Sequence, residues 1–99
     1  MKYRLVVRHV AKVDIRSAAW RYETQRSGLG REFVAEVDEV LSRVAENPLQ
    51  YQVLHREARR AIVRRFPYGL FYRIEANNIV VFCVSHLHRD PASWKARGA

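Results

Sequence analysis

The sequence predicts an α+β fold: a two-helix hairpin packed on one face of a four-stranded, mostly antiparallel sheet. Three observations lead there. Three strand-like runs, Ala61 to Phe66, Leu70 to Glu75 and Ile79 to His86, fill the second half of the chain. Pro67-Tyr68-Gly69 and Asn77-Asn78 separate them, and both are strong turn signals. The last run, with Ile79, Val80, Val81, Phe82, Cys83 and Val84 in unbroken succession, is apolar on both faces and belongs in the middle of a covered sheet. Finally, the apolar period changes from strand-like to helical after His9 and stays helical to Glu46.

Taken in order, Tyr3 to Arg8 is a half-buried strand in which Tyr3, Leu5 and Val7 point one way and Arg4, Val6 and Arg8 the other. Its arginines suit a place near a sheet edge, where charge discourages pairing with other chains. From about Ala11 to Arg26, Ile15, Ala18, Ala19 and Tyr22 recur on one helical stripe, and Asp14 favours the positive end of the helix dipole. Ser27-Gly28-Leu29-Gly30 breaks this helix, with Gly28 as its expected C-terminal cap. A second helix runs from about Arg31 to Glu46. Phe33, Val37, Val40, Leu41 and Val44 form its buried face, with Glu32, Glu36, Asp38, Glu39 and Glu46 on the opposite side. Asn47-Pro48 ends it, because the residue before proline is pushed out of the helical region. Leu49 to Glu57 reads as a loop whose Tyr51, Val53 and Leu54 plug the end of the core. If the first strand lies parallel to the apolar final strand, the helical hairpin is the crossover between them and that final strand is central.

Ninety-nine residues make one domain, residues 1–99, with enough chain for a single core. Hydrophobic content of 48% and charged content of 28% place it among globular chains. A net charge of +8 favours an anionic partner: nucleic acid, an acidic protein segment or a membrane surface. Cys83 is the single cysteine, so an intramolecular disulfide is excluded, and within an apolar strand it reads as a small buried hydrophobe. Lys2 is followed by a short alternating strand rather than the apolar core of a signal peptide, and no run approaches the length of a membrane span, so a cytoplasmic location without membrane association is expected. The spacing of His9, His55, His86 and His88 is not that of a metal site, and no Walker loop, dinucleotide fingerprint or Ser-His-Asp order occurs; no cofactor is expected.

Several stretches resemble one known family. DIRSAAWRYETQ in the first helix, then SGLGREF, ENPLQY at the end of the second, RRFPYGLFYRIE and HRDPASW occur in the order found in the RelE/ParE superfamily, the toxins of type II toxin–antitoxin pairs. They are most similar to the ParE-like, plasmid-stabilisation branch. The resemblance covers nearly the whole chain. It implies a small basic toxin neutralised by an acidic antitoxin whose C-terminal segment wraps around it. It implies one of two targets: ParE-like members inhibit DNA gyrase, whereas RelE-like members cut messenger RNA on the ribosome without a metal. A non-toxic basic nucleic-acid-binding module is the remaining alternative.

The ribonuclease reading needs cations around one phosphate and a group that accepts a proton from the attacking 2′-OH. Arg65, Arg73, His86 and Arg89 are the catalytic candidates under that reading, with His88 beside them, on or near the sheet face opposite the helices. Strand alternation puts Arg73 with Phe71 and Glu75, and His86 with Val80, Phe82 and Val84. Arg60, Arg64, His88, Trp94 and Lys95 are the candidates for binding a target or the antitoxin. The resemblance also counts against cleavage, because Gly69 stands where the ribonuclease branch carries an arginine. The favoured reading is therefore a non-enzymatic gyrase inhibitor. Trp94 and HRDPASW also admit a purely structural role: Asp90 before Pro91 starts a turn and takes an ion pair from Arg89 or Lys95, while Trp94 folds back onto the sheet.

Overall fold

The computed structural model describes residues 2–98. Strand β1 (Arg4–Val7) leads into helices α1 (His9–Gln25) and α2 (Leu29–Glu46), followed by a 3-10 turn at Pro48–Gln50. Strands β2 (Val53–His55), β3 (Ala58–Ile62), β4 (Tyr68–Glu75) and β5 (Asn78–His86) come next, and helix α3 (Ala92–Gly98) ends the described chain. One sheet holds all five strands in the order β1-β5-β4-β3-β2. β1 pairs parallel with β5 and every other pair is antiparallel, so the helical hairpin is the crossover that a parallel pair requires.

The core between hairpin and sheet is built from the expected stripes. Phe33, Val37, Val40 and Val44 of α2 are buried, as are Ala11 and Ala18 of α1, while Ile15, Ala19, Tyr22 and Leu41 are partly buried against them. Alanines on α1 let α2 come close. A Cβ at Gly30 would stand 2.5 Å from the Ala19 carbonyl oxygen, so this crossing excludes any side chain there. Four aromatic rings close the end of this core. Phe33 lies 5.2 Å from Phe66 and 5.1 Å from Tyr68, and Tyr22 lies 4.9 Å from Phe66, each in an edge-on arrangement. At the far end the buried Tyr72 hydroxyl donates to the Pro48 carbonyl at 2.6 Å. Burial pushes this phenol up to about 12, so it remains a donor, and it pins the 3-10 turn to the sheet.

Between the helices, Gly28 adopts φ 90° and is the N-cap of α2, not the expected C-terminal cap of α1, which is Arg26. The Glu23 carboxylate accepts the Gly28 N–H at 2.9 Å and the Gly30 N–H at 3.0 Å. Those two N–H groups hold its carboxyl below the ordinary value. A depressed carboxyl contributes stability that is present above the ordinary carboxylate range and is lost as pH falls through it. Glu23→Gln is accordingly expected to lower stability at neutral pH and to change it little in acid, which flattens the acid limb of the profile. Thermal unfolding followed between about pH 3 and pH 7 checks this, and an unchanged acid limb would contradict it.

Several expected boundaries move. The sheet has five strands, not four: Val53–His55, expected as loop, pairs with β3 through a turn in which Arg56 takes φ 53°. Arg-Glu is no turn signature, so this hairpin is held by the ladder rather than announced by turn residues. The third strand spans Ala58–Ile62 rather than Ala61 to Phe66, because Val63–Pro67 forms the connection, with Arg65 at φ 69°. Tyr68 and Gly69, expected in that turn, instead open β4. The β4–β5 turn is Ala76-Asn77, with Ala76 at φ 54°, and Asn78 already pairs with Glu75. The C-terminal tail is a helix whose Trp94 is buried on the outer sheet face, stacked on Phe71 at 4.6 Å. Asp90 receives the Ala92 N–H at 3.0 Å in place of the expected ion pair.

The most consequential departure is a bulge in β5. Phe71 lies opposite Cys83, but Tyr72 lies opposite Val81, so Phe82 is an extra residue in the ladder. Beyond it the alternation reverses. Phe82 and Cys83 both belong to the outer cluster with Ala58, Phe71 and Trp94, while Val84 joins the hairpin-side core. The Val84 N–H donates to the Asp14 carboxylate at 2.9 Å. The same carboxylate binds the Arg97 guanidinium of α3 through both terminal nitrogens, tying α1, the bulge and the tail together.

Candidate functional site

The candidates do not form one cluster. Arg65 lies at the connection before β4, where its Nη2 donates to Glu32 at 2.8 Å and its Nη1 is 3.7 Å from Glu36. The Glu32 carboxyl is held below its ordinary value first by this bond to Arg65, which marks it as a satisfied partner on the α2 side. Arg73 is on the outer sheet face. Its guanidinium binds the Glu75 carboxylate and the Gly98 carbonyl and lies 5.8 Å from the Phe82 ring centroid. Arg60 lies on that face too, with its Cδ 3.0 Å from where a Cβ on Gly69 would be. The space beside Gly69 on this face is thus taken by the Arg60 stem. Trp94 is 8% exposed and stacked, so its ring faces are not free to take a base. Arg64 and Lys95 are exposed, the latter with Nζ 5.8 Å from the Trp94 ring centroid.

His86, His88 and Arg89 do come together, but not on the face expected. The bulge turns His86 to the hairpin side at the end of the sheet, opposite Tyr68, with ring centroids 5.3 Å apart. There it meets Arg21 of α1. These five residues, Arg21, Tyr68, His86, His88 and Arg89, line an open depression of about 370 Å³. Arg21 Nη2 donates to the Tyr68 hydroxyl at 2.8 Å. The His88 backbone N–H donates to His86 Nδ1 at 3.1 Å, which assigns the neutral imidazole's proton to Nε2. The Arg89 N–H bonds the His86 carbonyl at 3.0 Å and the Leu87 N–H bonds the Pro67 carbonyl at 2.8 Å, so the turn carrying the histidines is held to the start of β4.

Arg21 and Tyr68 were not among the sequence candidates. Arg21 reads as one of many helix-surface arginines, and Tyr68 as a turn residue; only the bulge and the packing of α1 bring them beside His86. A second depression, about 490 Å³, lies on the outside of the hairpin around Trp20, which is 70% exposed. Arg16 and Arg31 also line it, and Val34 contributes apolar surface. Cys83 is buried, and burial pushes its thiol up to about 11, which removes it as a nucleophile. Among the described residues, no group of three or more His, Cys, Asp or Glu side chains could hold a metal, and no helix is long and apolar enough to cross a membrane.

Comparison with known proteins places this geometry. The family model described as the ParE toxin of type II toxin–antitoxin system, parDE, matches residues 5–91. No curated protein matches the sequence significantly. Among solved structures, the chain is similar to the chromosomal ParDE system from P. aeruginosa, with a TM-score of 0.78 at 13% identity over 86% of this chain and 96% of that one. It is similar to the RelBE2 toxin–antitoxin complex from Mycobacterium tuberculosis, with a TM-score of 0.64 at 24% identity over 87% of this chain and 99% of that one. It is also similar to a doubly substituted E. coli RelE toxin in the free state, with a TM-score of 0.71 at 17% identity over 98% and 94% of the two chains. The structural likenesses establish the common fold, and the sequence match over most of the chain establishes the family: this chain belongs to the ParE toxins of type II toxin–antitoxin systems.

Proposed function

We propose that this toxin inhibits DNA gyrase by binding rather than by cleavage, and that an acidic antitoxin segment neutralises it. The observation that carries the reading is the dispersal of the cleavage candidates. Arg65 is engaged by two carboxylates on one side of the molecule and Arg73 by Glu75 on the other. Trp94 is packed, and Gly69 is covered by Arg60. A phosphoryl-cleaving centre loses orders of magnitude in rate when one donor of its charge clamp is missing. For the antitoxin, two exposed apolar regions flanked by arginines supply support. One is Trp20 with Val34 between Arg16 and Arg31. The other is the short edge strand β2, where Val53 and Leu54 are exposed. Arg56 follows that strand in the β2–β3 turn, and an acidic amphipathic segment matches both regions.

One observation favours the ribonuclease alternative, namely that two imidazoles and two arginines share a depression. Against it, His86 presents Nε2–H outward when neutral, a donor where the reaction needs an acceptor. Induction of the toxin alone should relax plasmid supercoiling and leave translated messages uncut by primer extension. Co-induction of the antitoxin should restore both growth and supercoiling. Codon-spaced cuts with unchanged supercoiling would overturn the proposal and promote the ribonuclease reading.

A further inference from the structure

We propose that the depression formed by Arg21, Tyr68, His86, His88 and Arg89 is a binding site for a phosphate group. The inference does not depend on which target the toxin has. It follows from an inventory of donors and acceptors. The Tyr68 hydroxyl accepts from Arg21, so its own proton is free to be donated elsewhere. His86 uses Nδ1 to accept the His88 N–H, so Nε2 presents a proton. Arg21 retains N–H groups beyond the one given to Tyr68, and Arg89 offers a whole guanidinium. No carboxylate lines the depression. The nearest acid in sequence, Asp90, is turned to the Ala92 N–H, and Glu23 on α1 is taken by the Gly28 and Gly30 N–H groups. A concave group of donors with no anionic acceptor of its own is completed by an anion.

Three of the donor side chains, Arg21, Tyr68 and His86, are also held in place before any ligand arrives. Tyr68 is 4% exposed and packed on Tyr22 and Phe33, and its hydroxyl fixes the Arg21 guanidinium. His86 lies between the Tyr68 and His88 rings, 5.3 Å and 5.2 Å from them. For these three little side-chain ordering remains to be lost on binding, whereas the exposed Arg89 and His88 side chains are ordered by the ligand. Donors reach the depression from three segments: α1, the start of β4 and the turn after β5. A carboxylate has two coplanar oxygens, whereas the tetrahedral oxygens of a phosphate can meet donors from several directions at once, as arginine-lined phosphate sites do. The phosphate can belong to a monoester or to a nucleic-acid backbone.

The test is a titration of the isotopically labelled, purified chain at constant ionic strength, read by NMR. The probes are inorganic phosphate, a nucleoside 5′-monophosphate, a short oligonucleotide and, as the carboxylate comparison, glutarate. Saturable shifts confined to Arg21, Tyr68, His86, His88 and Arg89 are expected with the phosphate-bearing probes and not with glutarate. Tyr68→Phe keeps the ring in the core and Arg89→Gln changes an exposed side chain; each is expected to weaken binding about tenfold, by loss of a hydrogen bond to a charged group. Lys12→Gln, exposed near the start of α1, should leave binding unchanged. An oligonucleotide bound more tightly than the small phosphates identifies a backbone phosphate as the ligand, and equal or tighter binding of the small phosphates identifies a monoester. Shifts that never saturate, equal binding of glutarate, or affinity untouched by both Tyr68→Phe and Arg89→Gln would overturn the site.

Discussion

Removal of the chain after Asp90 is expected to cost about 3–5 kcal/mol, the range for loss of a large buried aromatic. It takes away Trp94, stacked on Phe71, and the Arg97 guanidinium that binds Asp14. Phe71, Phe82 and Cys83, all buried on the outer sheet face, then meet solvent. Cys83 reports the change. In the intact toxin its thiol is covered and burial raises it to about 11, so little thiolate forms near neutrality. The truncated chain should react with a maleimide far faster than the intact one while the hairpin-side core still unfolds cooperatively. Equal labelling rates would show that α3 is not a lid on this face. Loss of toxicity on truncation is for the same reason no measure of target contact. Lys95→Gln, at an exposed position on α3, tests the surface without opening the sheet.

Phe33→Ala is the single substitution expected to do most damage to the hairpin-side core, also about 3–5 kcal/mol. Phe33 is fully buried, and Tyr22, Phe66 and Tyr68 surround its ring at 5.1 to 5.4 Å. These neighbours belong to α1, the connection before β4 and β4 itself, so no single element can move in to fill the cavity. A chain of this size has a total stability of roughly 5–15 kcal/mol, so the loss is a large share of it. Urea unfolding should show the midpoint falling with little change in slope. A midpoint within experimental error of the parent would mean that the aromatic cluster is dispensable. Because Tyr68 packs on Phe33, the same variant should also disturb the Arg21–Tyr68 bond.

The helices were legible because their evidence is local. Phe33, Val37, Val40 and Val44 recur at helical spacing, and Gly28 and Asn47-Pro48 mark the breaks. The parallel pairing of β1 with β5 was legible as a condition, since a run apolar on both faces needs a strand on each side. Strand β2 was not. Three residues carry too little alternation to read, and their turn places Arg56 at positive φ without a glycine or asparagine to announce it. The β4–β5 turn was marked by Asn77-Asn78 but one residue late, because Ala76 takes the positive φ.

By itself the sequence determined the order strand, helix, helix and meander, the helix faces, the basic charge and the family. Each of these is written in residue type and spacing, which pass unchanged from chain to fold. The tertiary structure alone decided which side chains share a site. The period of a strand is two, so one extra residue at Phe82 reverses every position after it. That reversal carries His86 from the outer face to Tyr68 and Arg21. Its cost is offset by the Val84 N–H bond to Asp14, a residue seventy positions away that no local pattern could connect to it.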